Sequence, residues 1–426
     1  MKRRLSLGQH IKELPEKIMA EKAVGDALAD VAIDDHTLSE EYQHRNLAVH
    51  LLNQQLNDTS KSTHDAVLAT ILILCHYRMA ESGIAKFQTQ FAGVKKLLAL
   101  RRSQHFAPSR DAAWMEASFT YFDAISASIN DREAQLNASF YDIMPDTLLP
   151  PGVENLLGCD RELFKIISKL GRLNLLSQHR PVQPLSTNGP SQSQSPLTSP
   201  LGHLQKGSLS RLYGITPRFD GNGFGTTLSD EEMFASAACS SALYDDQRSN
   251  FWREWKETRS ALQNWEFDAA RLQASLPGNP TAAQMRDLCS LSEAFRYAAL
   301  LYTERLANAN VPSSNSNFQS LVSQVIYYMT SLDTGCSAAK FLLWPLFVAG
   351  SECVNELQQN IVRSKCQGIM GRSGYMNNLS ALDVLEKLWS SDFTGSPTHA
   401  QTRRRGPFNW TRCMWGNGAD VEWIMF

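Results

Sequence analysis

The stretch of sequence that decides the fold runs from residue 65 to residue 98 and reads DAVLATILILCHYRMAESGIAKFQTQFAGVKKLL. Apolar residues in its second half recur at alternating spacings of three and four: Ile84, Phe87, Phe91, Val94 and Leu98. This spacing places them on one side of a helix that packs on a core. The first half is apolar almost all round between Val67 and Met79, and Ser82-Gly83 separates the two halves. The stretch therefore predicts a central buried helix in an antiparallel pair.

Helical periodicity continues along the rest of the chain. It predicts further helices near 110–130, 153–175, 229–272, 281–308, 316–333, 337–370 and 378–390. Ser229-x-x-Glu232 and Thr281-x-x-Gln284 have the spacing of capping boxes, in which side chains accept hydrogen bonds from otherwise unpaired amides of the first helical turn. Pro345 lacks an amide donor and predicts a helix start or a kink. Because period-two strand patterns are scarce, we expect an all-α, multi-helix antiparallel domain.

A change in composition divides this helical body. Between residues 179 and 227 the chain is rich in Pro, Ser, Gly and Gln, which is typical of a disordered linker or insertion. The predicted organisation is an N-terminal tail (1–24), a first part of the helical domain (25–178), the linker (179–227) and a second part of the helical domain (228–426).

The composition limits the classes of function. With 43% hydrophobic residues in a chain of 426, a large core can form. The formal net charge of -2 gives no general basic field to attract nucleic acid. The N-terminal residues have no apolar segment typical of a secretory signal, and the longest apolar runs are too short to span a bilayer. We therefore expect an intracellular, reduced protein that makes no membrane contact.

Neither the cysteines nor the acidic residues form a recognisable site. The eight cysteines contain no CxxC pair, and the first is Cys75, so the sequence does not predict a zinc site. Two acidic pairs have a composition that could bind magnesium through oxygen ligands, as in helical terpene synthases: Asp34-Asp35 and Asp245-Asp246. The second pair would need a glutamate at position 253, where the chain has Arg253 and places Glu254 one position later. We interpret both pairs as a solvated surface or helix caps.

No nucleophile motif and no phosphate-binding glycine loop is present. We accordingly predict no catalytic, cofactor-binding or metal-binding residue, no cofactor, and a protein that is not an enzyme. The basic clusters Lys2-Arg3-Arg4 and Arg403-Arg404-Arg405 are short and read as solvated ends or loops. The near-helical spacing of Trp252, Trp255 and Trp265 favours packing over base stacking.

Several of these segments resemble, in order, the fungal-specific transcription factor domain of zinc-cluster regulators. The first helical hairpin of that family is similar to Asp65–Cys75 followed by Phe91–Leu98, and Tyr121–Ala124 and Leu156–Phe164 resemble the segments that follow. The strongest resemblance is Leu343-Trp344-Pro345-Leu346-Phe347-Val348-Ala349-Gly350-Ser351-Glu352, with Leu382–Trp389 behind it. The resemblance covers the chain from about residue 25 onward.

The resemblance implies a transcriptional regulator in the nucleus, with the cytoplasm as the alternative, that controls a metabolic or secondary-metabolite gene set. Full-length relatives bind DNA through a module of six closely spaced cysteines and two zinc ions. This chain contains no such cluster, so we expect no direct DNA binding from it. The expected partner is a DNA-bound transcription factor or a second copy of the chain. An all-helical enzyme of secondary metabolism and a module that senses an unknown small molecule are the alternatives.

Overall fold

The structure is a computed structural model that describes residues 40–58, 60–103, 110–136, 159–182, 248–275, 280–333, 335–390, 407–414 and 422–425. The chain divides into two compact units, Met1–Ser62 and Thr63–Phe426. In the first unit, the described residues form helix α1 (Glu40–Asn57), most of whose side chains are exposed. The remaining elements belong to the second unit.

The described part of the second unit consists almost entirely of helices. In chain order they are α2 (Asp65–Glu81), α3 (Phe87–Ser103), α4 (Arg110–Ile129), α5 (Arg161–Ile167), α6 (Leu170–Ser177), α7 (248–264), α8 (Ala269–Ser275), α9 (Ala282–Ala307), α10 (Ser316–Ser331), α11 (Leu343–Gly350), α12 (Glu356–Ser373), α13 (Asn377–Trp389) and α14 (Trp410–Met414). A 3-10 turn (Ser337–Leu342) leads into α11. Strand β1 (Ile84–Ala85) pairs antiparallel with β2 (Glu422–Trp423), with Ile84 opposite Trp423. The predicted all-α fold is confirmed.

Helix α9 lies at the centre of this unit. It packs against α10, α11 and α6, and its side chains are buried along most of its 26 residues. The predicted capping box at its start is confirmed: the Gln284 amide N–H donates to Thr281 Oγ1 at 3.2 Å, and the Thr281 amide donates to Gln284 Oε1 at 2.9 Å. Local pairing at the first turn therefore fixes where the central helix begins.

The prediction that the helix over residues 67–79 is the central buried helix is wrong. In α2, one side is buried, at Val67, Leu68, Leu72, Cys75 and Met79. Ile73, on the other side, is 66% exposed. Apolar composition alone does not show which of two helices lies at the centre of the unit. In the structure the longer helix α9 lies there.

Two predicted helices also have different boundaries. Ile84 is not helical, because Gly83 adopts a left-handed φ of 75° and turns the chain so that Ile84 joins the β1–β2 pair. The helix predicted over 337–370 is broken into the 3-10 turn, α11 and α12. Pro345 falls in the first turn of α11, where a missing N–H costs no helical hydrogen bond, so the predicted helix start is confirmed.

Other predictions fall partly outside the described residues. The Pro- and Ser-rich segment 179–227 lies outside them except for residues 179–182, and so does the capping box at Ser229. The boundaries at residues 24 and 228 stay predictions. None of the helices in the described ranges combines the length and the hydropathy required to cross a membrane.

Candidate functional site

The acidic pairs considered as magnesium ligands, Asp34-Asp35 and Asp245-Asp246, lie outside the described residues, as do both basic clusters. In the ranges that are described, no three His, Cys, Asp or Glu side chains converge in a way that could hold a metal ion. Burial raises the pKa of the thiols of Cys75, Cys353 and Cys366 to about 12, so these cysteines are unreactive at neutral pH.

Two of the three tryptophans considered for packing make specific contacts in the helical body. The Trp255 indole donates to the carbonyl oxygen of Thr303 at 2.9 Å. The Trp265 indole donates to Asp160 Oδ1 at 3.2 Å. Trp252 is 43% exposed and meets the edge of Trp255 with ring centroids 5.6 Å apart. Packing is therefore confirmed for Trp255 and Trp265.

A buried cluster of three charges, which we call the Arg132 centre, joins α4 to β2. It consists of Arg132, Asp123 and Glu422. Arg132 Nη1 contacts Asp123 Oδ1 at 2.6 Å, and Arg132 Nε contacts Glu422 Oε1 at 2.7 Å. Burial raises the pKa of both carboxyl groups, and Arg132 opposes that rise. Both acids are held by the same guanidinium, so the cluster binds two parts of the chain together.

Backbone contacts hold β2 beside this centre. The Asn130 side chain pairs with both backbone groups of Trp423: its Nδ2 donates to the Trp423 carbonyl at 2.6 Å, and its Oδ1 accepts from the Trp423 amide at 2.8 Å. The Ile424 amide donates to the Gly83 carbonyl at 2.9 Å, and Asn377 Nδ2 donates to the Ile424 carbonyl at 3.2 Å. A Cβ on Gly83 would lie 2.3 Å from the Asn377 Cβ, so this close approach requires glycine. Residues 422–425 are thus an integral part of the core.

Sequence reasoning did not identify the Arg132 centre. Arg132 and Glu422 are 290 positions apart, and no motif spacing links them. Glu422 lies next to the apolar run at 423–426, and a charged residue in that position is typical of a solvated chain end. Nothing in the local sequence therefore indicated a buried ion cluster.

A half-buried histidine lies on the side of α2 that faces α4. His76 Nδ1 is 3.0 Å from the Tyr375 hydroxyl, and its ring meets the edge of Phe122 with centroids 5.4 Å apart. Burial lowers the pKa of His76 to about 4, with a further contribution from the positive charge of Lys340. The imidazole is therefore neutral at pH 7 and belongs to the packing of the core.

The pKa of His76 predicts an acid-sensitive contribution to stability. A histidine whose pKa is lowered on folding contributes stability that is complete above pH 6.5 and is lost as the pH falls towards 4. The loss amounts to about 3 kcal/mol over that interval. Relative to wild type, the His76→Gln variant should therefore gain stability as the pH falls from 6.5 to 4, measured by urea unfolding at each pH. Tyr375→Phe, which leaves the imidazole buried, should keep the wild-type pH dependence, and parallel wild-type and His76→Gln curves would contradict the assignment.

Further charged side chains also connect elements. Arg305 Nε donates to Glu352 Oε1 at 2.8 Å and joins α9 to the turn after α11. Arg172 bridges Glu133 and Glu254, with N–O distances of 2.9 and 3.0 Å. The buried and half-buried carboxylates of Glu352, Glu133 and Glu254 are thus paired with guanidinium groups, which is the pattern of a structural core.

One exposed feature differs from this pattern. Helix α10, with the sequence SNFQSLVSQVIYYMTS, contains no Asp, Glu, Lys, Arg or His. One side of it, with Phe318, Val322, Val325 and Met329, is buried. The opposite side is exposed and carries Tyr327, which is 62% exposed. The exposed side of α10 is therefore uncharged and consists mostly of residues with hydroxyl groups.

Comparison with known proteins gives one match. A sequence model described as "Fungal specific transcription factor domain" matches residues 27–424. No curated protein and no solved structure matches the chain. The match includes the hairpin, α11 and β2, and so spans both ends of the helical body.

Proposed function

This chain belongs to the fungal-specific transcription factor domain family, and from that premise we propose that it regulates transcription through contacts with other proteins. The match over residues 27–424 is the observation that carries the proposal. Family membership indicates a transcriptional regulator rather than an enzyme. The proposal adds that the protein acts in the nucleus on a metabolic or secondary-metabolite gene set.

The chemistry of the described residues supports contact rather than catalysis. Their buried acids and bases are engaged with one another, as at Arg132 and Arg305. The uncharged surface of α10 is in contrast open to solvent. We propose that the contact with DNA is made either by a DNA-bound factor to which this chain attaches or by a zinc-cluster module outside these residues.

A reporter assay tests the regulatory role. The chain fused to an unrelated DNA-binding domain should change the expression of a reporter that carries the matching site, in either direction. The DNA-binding domain alone is the control, and immunoblotting establishes that both proteins are present in equal amounts. A fused chain that is folded and abundant but leaves expression at the level of the control would overturn the proposal.

A further inference from the structure

We infer that the side of α7 around Trp252 is a docking surface for an acidic segment of a partner protein. We call it the Trp252 face, and it consists of Arg248, Trp252 and Lys256. The inference rests on the proposed function, because it gives the chemistry of one partner through which the chain would regulate transcription. It is measured on the purified chain, so its failure is distinct from a failure in the reporter assay.

The residues of the Trp252 face lie along one side of a helix. Arg248 is four positions before Trp252, and Lys256 is four positions after it, a spacing that makes side chains neighbours on a helix surface. Arg259, the next residue on this side, is paired with Glu304 of α9 and adds no net charge. The Trp252 face is therefore an aromatic ring between two basic side chains.

Trp252 is the exposed aromatic residue of α7 that does not pack fully into the core. It is 43% exposed, and its ring meets the rings of Phe251 and Trp255 edge-on, with centroids 5.0 and 5.6 Å apart. A large ring that its neighbours already hold in place loses little conformational entropy on binding. Tryptophan and arginine are also enriched among the residues that contribute most to binding at protein interfaces. The Trp252 face therefore has the composition of a binding surface.

The positive charge of the Trp252 face is not balanced within the described residues. Arg248 and Lys256 are both exposed, and neither forms an ion pair with another described residue. The other exposed charges of α7, Arg253 and Glu257, are four positions apart on a different side of the helix, where they offset each other. The Trp252 face thus keeps two free positive charges beside its apolar ring.

Charge complementarity selects an acidic peptide segment as the occupant. Its carboxylates would pair with Arg248 and Lys256, and an apolar side chain would cover Trp252. A second copy docked face to face through a two-fold axis would bring like charges together. Proteins that bind nucleic acid through its phosphates commonly neutralise about 6–10 of them, and two free cations are few for that task. One helix side also suits a short segment, so we expect weak, transient binding.

Fluorescence anisotropy with a labelled peptide tests the inference on the full chain. The probe is a short synthetic peptide of glutamate and phenylalanine residues, and its counterpart has glutamine in place of glutamate. Wild type should bind the glutamate peptide saturably and the glutamine peptide at least tenfold more weakly, and added salt should weaken the first binding. Trp252→Ala should weaken it at least tenfold, with circular dichroism used to establish that the variant is folded.

Two control variants change similar side chains elsewhere on the surface. Tyr327→Ala removes an aromatic residue that is 62% exposed on α10. Lys95→Glu reverses the charge of an exposed lysine on α3. Both variants should bind the glutamate peptide like wild type, and a loss at either one equal to the loss in Trp252→Ala would overturn the inference.

Reversal of the charges separates recognition from loss of structure. The double variant Arg248→Glu with Lys256→Glu should lose the glutamate peptide and bind the counterpart that has lysine in place of glutamate, an exchange that unfolding cannot produce. A wild-type chain that does not bind the glutamate peptide would overturn the inference. So would binding that is insensitive to the double variant, or a single-stranded oligonucleotide that binds wild type as tightly as the peptide and is lost in Trp252→Ala.

Discussion

Arg132→Met should lower the free energy of unfolding of this protein by about 3–5 kcal/mol, the usual cost of removing one partner from a buried ion cluster. The substitution leaves Asp123 and Glu422 buried side by side without a positive charge. Methionine fills a similar volume against Phe91, whose ring centroid lies 5.7 Å from the guanidinium carbon. The decrease in the free energy of unfolding therefore measures the missing charge rather than a cavity. Urea unfolding followed by circular dichroism measures the effect.

Substitution of Glu422 should lower the free energy of unfolding much less than Arg132→Met does. In Glu422→Gln, Arg132 keeps Asp123, and the repulsion between the two carboxylates disappears, so the cost should be about 1 kcal/mol or less. The double variant Arg132→Met with Glu422→Gln should be more stable than Arg132→Met alone, because one uncompensated charge has been removed. If the two single substitutions cost the same and their effects add in the double variant, the three groups do not act as one cluster.

The Arg132 variants also separate folding from regulation. Residues 422–425 are held by α4, Gly83 and Asn377, so weakening the Arg132 centre should release them before the rest of the core. Hydrogen exchange in Arg132→Met should therefore rise first at β1 and β2. Loss of reporter activity in this variant therefore reflects loss of structure rather than loss of a contact with a partner.

Features that depend on neighbouring residues could be predicted from the sequence. The capping box at Thr281 requires four consecutive residues, and Pro345 constrains its own turn, so both were visible without the structure. Periodicity predicted most helices because a packed helix repeats its apolar side every three or four residues. The break between α11 and α12 was missed because the apolar pattern continues through it.

Features that depend on distant residues could not be predicted. The Arg132 centre joins residues 290 positions apart, and the exposure of Ile73 depends on which other helix occupies the centre. The exposed side of α10 was also missed, since an uncharged helix is typical of a core until the structure shows that one side of it faces solvent. Pairwise spacing along the chain contains none of this information.

The second large effect is expected in α11, the segment with the strongest resemblance to the family. Trp344→Ala should lower the free energy of unfolding by about 3–5 kcal/mol, measured by the same urea titration. Trp344 is fully buried and stacks on Phe295 with ring centroids 5.6 Å apart. Because α11 is surrounded by α9, α10, α12 and α13, the cavity left by the indole cannot collapse easily.

A hydrogen-bond junction explains why tryptophan occupies this position. The Trp344 indole donates to Ser128 Oγ at 2.9 Å, and Tyr302 donates to the Ser128 carbonyl at 2.6 Å, so one serine of α4 receives donors from α11 and α9. Trp344→Phe should therefore cost less than Trp344→Ala, with about 1 kcal/mol of its effect due to the lost hydrogen bond.

Trp252→Ala is the matched control for the same change of side chain at a position that is 43% exposed, and it should cost about 0.5 kcal/mol. Equal losses at Trp344 and Trp252 would contradict the buried position of α11. A large loss at Trp344 alone would mean that this tryptophan serves the packing of the core.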